Sequence, residues 1–289
     1  LESLASLTKL HKGKQAAMAL MEPLIAEFQS VPLWLDYAIL CFDNLEMEKC
    51  EQALEKVAKF SGHGTKRSDD YLQYLKAEIA LHNQDLARAV EHLQNARTPF
   101  NKILKENLEK SSDFKPVLKV AVPDIAQKHM TCAPSSLAAI AQFWGKEVNE
   151  DEIASLICYG GTPEESQREW LSDNGFAYLE FDLEEQAVMD VLGAGIPLTL
   201  VTTQGLSSHL QVVRGYDPNS GLLMLMDPSN TGNRKALLKE TIECDAVNGP
   251  KCVAIVPEEQ ESKLALLSLP AANLYPTWRK LEVAYAKED

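Results

Sequence analysis

Apolar positions recur with a helical period from the first residues to about position 114, and the period changes near Lys115. In the first stretch Ala17, Ala53 and Ala89 stand 36 residues apart. One copy surrounds its alanine with Tyr37, Leu40, Leu54 and Val57, and the next with Tyr74, Ala77, Ala80, Leu86, Leu93 and Ala96. Small residues at a fixed period, flanked by larger apolar ones, predict paired antiparallel helices whose axes come closest at the alanines. Beyond Lys115, alternating and near-continuous apolar runs predict strands over 117–122, 176–181, 196–201, 209–215, 222–226 and 252–256. Helical spacing predicts helices over 132–144, 150–158 and 163–174. Asp182 followed by Glu185 has the form of a capping box that opens a further helix ending at Leu192. Helices that precede an antiparallel sheet make an α+β domain.

The 36-residue period resembles that of tetratricopeptide repeats, helical pairs of about 34 residues. The resemblance implies a stacked, all-α array with a concave surface for a protein partner. Trp278, Leu281 and Tyr285 fall at the spacing of the first helix of such a repeat. The expected division is therefore helical repeats over 1–114, the α+β domain over 115–257, and a linker with the start of a further repeat over 258–289. The chain opens at Leu1 within an amphipathic helical pattern, so it is expected to be a piece of a longer protein.

Charge narrows the functional classes. The chain carries 28 basic and 42 acidic residues, net −14, which argues against a nucleic-acid partner. The acidity is uneven, net −2 over 1–115 and −12 over 116–289. No run approaches the roughly 18 apolar residues of a membrane span. The six cysteines show no Cys-x-x-Cys spacing, so neither a zinc site nor a disulfide framework is expected. A reducing, cytoplasmic compartment fits, with no metal and no organic cofactor.

One constellation carries chemistry. In Gln127-Lys-His-Met-Thr-Cys132-Ala-Pro, a cysteine opens an apolar-faced helix five residues after a glutamine. A thiol there meets the positive end of the helix dipole and unpaired N–H groups, which favour the nucleophilic thiolate. The Gln127 amide and a backbone N–H are oxyanion donors, worth about 2.7–4 kcal/mol each in such sites. His209 supplies the base at the head of a strand. The sequence Asp217-Pro-Asn-Ser-Gly221 is turn chemistry, so His209 lies on a hairpin that ends at Asp227. Across that hairpin Asp227 falls opposite His209 or one same-face neighbour away. Asp217 lies eight residues along the same strand, roughly 26 Å at about 3.3 Å per residue. Asp227 is the better partner to orient the imidazole.

This set, a glutamine before an N-helical cysteine, a histidine 77 residues later and Asp-Pro 18 residues after that, is similar to the bacteriocin-processing cysteine peptidases. Those papain-like domains are best known from peptide exporters that cut leaders after a Gly-Gly pair. The resemblance covers roughly 115–257 and implies an α+β papain-like cysteine peptidase domain joined to an all-α tetratricopeptide-like helical repeat array, of bacterial type. It implies Gln127 in the oxyanion hole, Cys132 as nucleophile, His209 as general base and acid, Asp227 as orienting carboxylate, and a peptide or protein substrate. Thr131-Cys132-Ala133 stands where the family has Asp-Cys-Gly, the Gln-to-Cys gap is one shorter, and no transporter segment accompanies the domain. Leader cleavage after Gly-Gly is therefore not carried over. Two other functions are set beside the peptidase: a peptide-binding scaffold with a vestigial site, which would have no physical reason to retain the complete Gln127, Cys132, His209 and Asp227 set, and acyl transfer to an amine instead of water, which these residues do not distinguish from hydrolysis.

The remaining candidates have plainer readings. His129 is expected at the rim, and Cys158 in the core. Cys244 and Cys252 flank a turn at 248–250 and pair only if oxidised. The segment 62–66 is a linker turn, because no strand precedes it and phosphate-loop spacing is absent. Residues 160–163 form a turn between helices. The acidic helix over 182–190 is a solvated face, which secondarily favours cationic peptides.

Overall fold

The computed structural model describes residues 2–28, 30–61, 66–204, 207–245 and 251–285, and the chain divides into two units, Leu1–Lys115 and Pro116–Asp289. The turn read over 62–66 lies, apart from Lys66, outside the described residues.

The first unit is helical throughout most of its described residues. Helices α1 (Glu2–Lys12) and α2 (Lys14–Glu27), α3 (Val31–Asp43) and α4 (Met47–Phe60), and α5 (Lys66–His82) and α6 (Leu86–His92) pack as successive pairs, followed by α7 (Pro99–Lys110). Ala17, Ala53 and Ala89 lie on α2, α4 and α6, the second helix of each pair, and all three are fully buried. A side chain larger than methyl would push the paired helices apart there. Between the helices of each pair stands a residue with positive φ, Gly13, Leu45 and Gln84 in turn, and Gly13 does so with extended ψ, a conformation that glycine adopts readily. Asp70 of α5 accepts the Arg97 and Thr98 N–H groups at 2.9 and 3.0 Å, and the Thr98 hydroxyl caps α7.

The second unit comprises β1 (Leu118–Lys119), α8 (Cys132–Phe143), α9 (Glu150–Ile157), α10 (Glu164–Asp173), β2 (Phe176–Asp182), α11 (Glu185–Gly193), β3 (Leu198–Gln204), β4 (Ser207–Asp217), β5 (Leu222–Asp227), β6 (Asn230–Leu237), α12 (Leu238–Asp245), β7 (Lys251–Pro257), α13 (Ser262–Ala265) and α14 (Tyr275–Tyr285). The strands form one antiparallel sheet in the order β2-β7-β3-β4-β5-β6, with β1 against β4. This is the α+β arrangement the sequence implied. The sheet is covered on both faces, which explains why β3, β4 and β5 read as near-continuous apolar runs. Leu137 of α8 shares one face with Thr199, Val201, Leu210, Val253 and Ile255. A bulge at Arg214 shifts the register, so that Tyr216 turns to the other face and donates its hydroxyl to Glu185 of α11 at 2.7 Å. At Gly215 an added Cβ would lie 2.9 Å from the Leu118 carbonyl, so only glycine admits β1 at that distance.

Several elements differ from the sequence expectation. The strand over 117–122 shrinks to Leu118–Lys119, because pairing stops where β4 bulges and Val122 turns back to bond Val120. Asp182 does not cap α11. Its backbone stays in the β2–β7 ladder opposite Lys251, its carboxylate accepts the Tyr275 hydroxyl, and α11 begins after Glu184 without a side-chain cap. A capping box stands instead at Asn149 and Glu152, opening α9. Neither β6 nor α12 is among the expected elements, because Asn230-Thr-Gly-Asn-Arg-Lys lacks an apolar alternation. Cys158 is half-buried, not core, since it ends α9 in extended conformation and gives its thiol to the Met130 carbonyl at 3.6 Å. Cys244 and Cys252 are free thiols, and 246–250 between them lie outside the described residues. Residues 258–285 cluster with the second unit, where Arg279 of α14 pairs with Glu180 and Glu164 at 2.5 and 3.1 Å.

Candidate active site

The N-terminus of α8 presents Cys132 as its first residue, with Pro134 in the first turn, where a missing N–H costs nothing. Thr131, just before it, does not cap the helix. Its hydroxyl accepts the Lys128 N–H at 2.9 Å and donates to Glu150, a buried carboxylate that also takes the Lys128 N–H at 3.0 Å. The turn before the cysteine is thereby fixed from α9, and no side chain caps the start of the helix. Ser136, one turn on, donates to the Leu210 carbonyl at 3.1 Å and docks α8 on β4 beside His209.

His209 is buried on β4 opposite Thr202 of β3. Its Nε2 lies 2.7 Å from Asp227 Oδ1, which leaves Nδ1 for the Cys132 thiol. The hairpin register explains the meeting. Val212 pairs with Met226, so Asp227 continues to a place opposite Gln211, the same-face neighbour of His209. Asp227 is almost fully buried and saturated with donors: Ser229 N–H at 2.9 Å and Ser229 hydroxyl at 2.7 Å join His209 on Oδ1, and Arg234 reaches Oδ2.

These contacts set the charges. Burial pushes the Cys132 thiol up, but the His209 ring and the backbone N–H groups of Leu210 and Ala133 outweigh it, and the thiol ends below its ordinary value. The Asp227 bond, then the Cys132 bond, raise His209 to about 9 against the opposing effect of burial. Burial also opposes the charge on Asp227, yet His209 and Ser229 hold its carboxyl well below the usual range. Near neutral pH these directions favour a thiolate, an imidazolium and a carboxylate in line.

Gln127 joins the same assembly from the chain before α8. Its N–H donates to the Pro228 carbonyl at 2.8 Å, and its buried Oε1 has no hydrogen-bond partner among the described residues. Asp217 stays apart, its carboxylate taken by Asn219 and Ser220 in the β4–β5 turn. His129 is exposed. Sequence reasoning missed Ser229, Arg234, Thr131 and Glu150. The first is foreshadowed by Asp227-Pro-Ser, an Asx-turn pattern; the other three carry no local signal. Among the described residues no group of three His, Cys, Asp or Glu side chains is placed to hold a metal, and no helix is long and apolar enough to cross a membrane.

Comparison with known proteins finds a family to which this region is similar. No curated protein matches the chain. Among solved structures, the peptidase domain of Streptococcus ComA, a bi-functional ABC transporter involved in a quorum-sensing pathway, is 16% identical, covering 47% of this chain and 99% of that one, with a TM-score of 0.38. A double glycine motif protease from an AMS/PCAT transporter, solved with its leader peptide, is also 16% identical, covering 48% of this chain and 94% of that one, with a TM-score of 0.38. Residues 119–245, which span Gln127, Cys132, His209 and Asp227, match the Peptidase_C39 like family, and the second unit carries a domain similar to it.

Proposed function

We propose that the second unit is a cysteine peptidase acting on a peptide or protein, with Cys132 as nucleophile. The observation that carries the proposal is His209 bonded to Asp227 at 2.7 Å while its ring and two backbone N–H groups draw the Cys132 thiol toward thiolate. The thiolate adds to the scissile carbonyl, and the oxyanion is met by the Gln127 side chain and a backbone N–H at the start of α8. The His209 imidazolium gives its proton to the departing amine, leaving a thioester on Cys132. His209 then takes a proton from water, hydroxide adds to the thioester carbon, and the acid leaves as the thiolate reforms. Asp227 fixes the tautomer and stabilises the imidazolium.

The paired helices of the first unit support a second part of the proposal. They are read as tetratricopeptide-like repeats that recruit the substrate or a protein partner, and the chain as a cytoplasmic protein of bacterial type. The test is alkylation of the intact chain by iodoacetamide across pH, followed for each thiol by peptide mass spectrometry in wild type and His209→Ala. The expected result is that Cys132 reacts far faster than the other five thiols near pH 6–7, and loses that advantage in the variant. A Cys132 that titrates near about 8.5 like an ordinary thiol would sink the peptidase and leave a binding domain.

A further inference from the structure

We propose that Arg234 is a positioning residue of this site: it shares the Asp227 carboxylate with His209 and tunes the proton transfers that His209 performs. The inference rests on the cysteine–histidine reading above and goes beyond it. The two oxygens of the buried Asp227 have separate duties. Oδ1 receives His209, the Ser229 N–H and the Ser229 hydroxyl, whereas Oδ2 receives the Arg234 guanidinium. The fold does not demand an arginine there, since β6 is the edge strand and the Arg234 side chain is 47% exposed. An edge-strand arginine is free to lie out in water, yet this one turns its head to the one carboxylate that serves the histidine.

The chemistry gives the contact a purpose. Two cations held on one carboxylate repel each other, and a like charge nearby disfavours the imidazolium. The guanidinium on Oδ2 thus loosens the grip of Oδ1 on the imidazolium. The proposed reaction needs that balance, because His209 must give a proton to the leaving amine and later accept one from water. A ring locked as imidazolium does the first and fails at the second. Among the described residues, the groups that act on His209 are Cys132 from α8 and Asp227 from β5, with Arg234 from β6 reaching it through the carboxylate; β3 places Thr202 opposite, which does not titrate.

The test is a nitrogen-detected NMR titration of the histidine rings in the intact chain, with Arg234→Gln, Arg234→Met, Arg234→Lys and Cys132→Ser beside wild type. The His209 midpoint is expected to rise by about half a pH unit or more in either neutral variant and to stay within about 0.2 of wild type in Arg234→Lys, while His82, His92 and His129 do not move. An unchanged or lowered midpoint in the neutral variants overturns the proposal, and so does loss of fold in both, which would mark Arg234 as structural. The underlying reading fails separately: it falls if the wild-type His209 midpoint sits near about 6.5 and is indifferent to Cys132→Ser.

Discussion

Two aspartates bracket the β4–β5 hairpin with nearly the same local sequence, Asp217-Pro-Asn-Ser at the turn and Asp227-Pro-Ser-Asn at the far end. Both are buried, and each accepts the N–H of the residue two positions on, at 3.0 Å from Asn219 and 2.9 Å from Ser229. Each also takes a serine hydroxyl, Ser220 at 2.6 Å and Ser229 at 2.7 Å. The difference lies in which further donors reach each carboxylate. Asp217 is filled by its own turn through the Asn219 side chain, whereas Asp227 also receives His209 and Arg234. Closely similar Asp-Pro motifs therefore serve as a turn closure or as a charge anchor, the local Asn219 side chain filling one carboxylate and strand register bringing His209 and Arg234 to the other.

The comparison can be broken most severely at the histidine. His209→Ala and Cys132→Ala are each expected to lower peptide hydrolysis by about 10³-fold or more, with effects that do not multiply in the double variant; independent, multiplying losses would mean that the two side chains do not act together. Next comes the aspartate pair. Asp227→Asn should cut kcat by about 10²–10⁴-fold through loss of the oriented imidazole, whereas Asp217→Asn should cost about 1–3 kcal/mol in urea unfolding and leave kcat per folded molecule unchanged. Equal kcat losses in the two would show that the turn, not the charge, is what matters at both ends.

The pH dependence of stability separates the two aspartates at a smaller scale. His209 is raised to about 9 when folded, so its contribution is full below the unfolded value near 6.5 and is lost as pH rises through about 9. Asp227 is lowered when folded, so its contribution is present above the unfolded value near 3.9 and is lost as pH falls below it. Cys132, lowered when folded, gains stability as pH rises and offsets the His209 loss. With the thiol removed in Cys132→Ser, the protein should therefore lose about 1–3 kcal/mol between pH 6.5 and 9.5, a decline that adding Asp227→Asn flattens and adding Asp217→Asn does not. The smallest contrast is between serines. Ser229→Ala and Ser220→Ala should each cost about 0.5–1.5 kcal/mol in thermal unfolding, and only the former should also lower kcat, by a few-fold.

Periodicity makes most of the architecture legible in the amino-acid sequence. The alanine spacing places Ala17, Ala53 and Ala89 on equivalent helices because a methyl at a close helix crossing is a packing requirement written in residue size. Strands β3, β4, β5 and β7 are legible because a sheet buried on both faces needs unbroken apolar runs. Edge strand β6 and helix α12 are not, since an edge needs little apolar pattern. In the candidate site, Gln127, Cys132, His209 and Asp227 can be read from residue type and turn arithmetic. Arg234 and Glu150 cannot, because an arginine on an edge strand and a glutamate opening a helix are ordinary surface residues until tertiary pairing turns them inward. The false capping box at Asp182 has the same origin: pairing with β7 outweighs a local hydrogen bond.

Because the Gln127 amide proton is spent on the Pro228 carbonyl, the approach to α8 and the exit from β5 are latched across 101 residues of sequence. That one proton is a clock. It exchanges with deuterium only when the cysteine side and the aspartate side of the cleft come apart. Slow exchange with no peptide present would mean a cleft already set in its working shape, so that little binding energy is diverted to assembling it. Fast exchange, quenched when peptide is added, would mean that the substrate itself closes the latch.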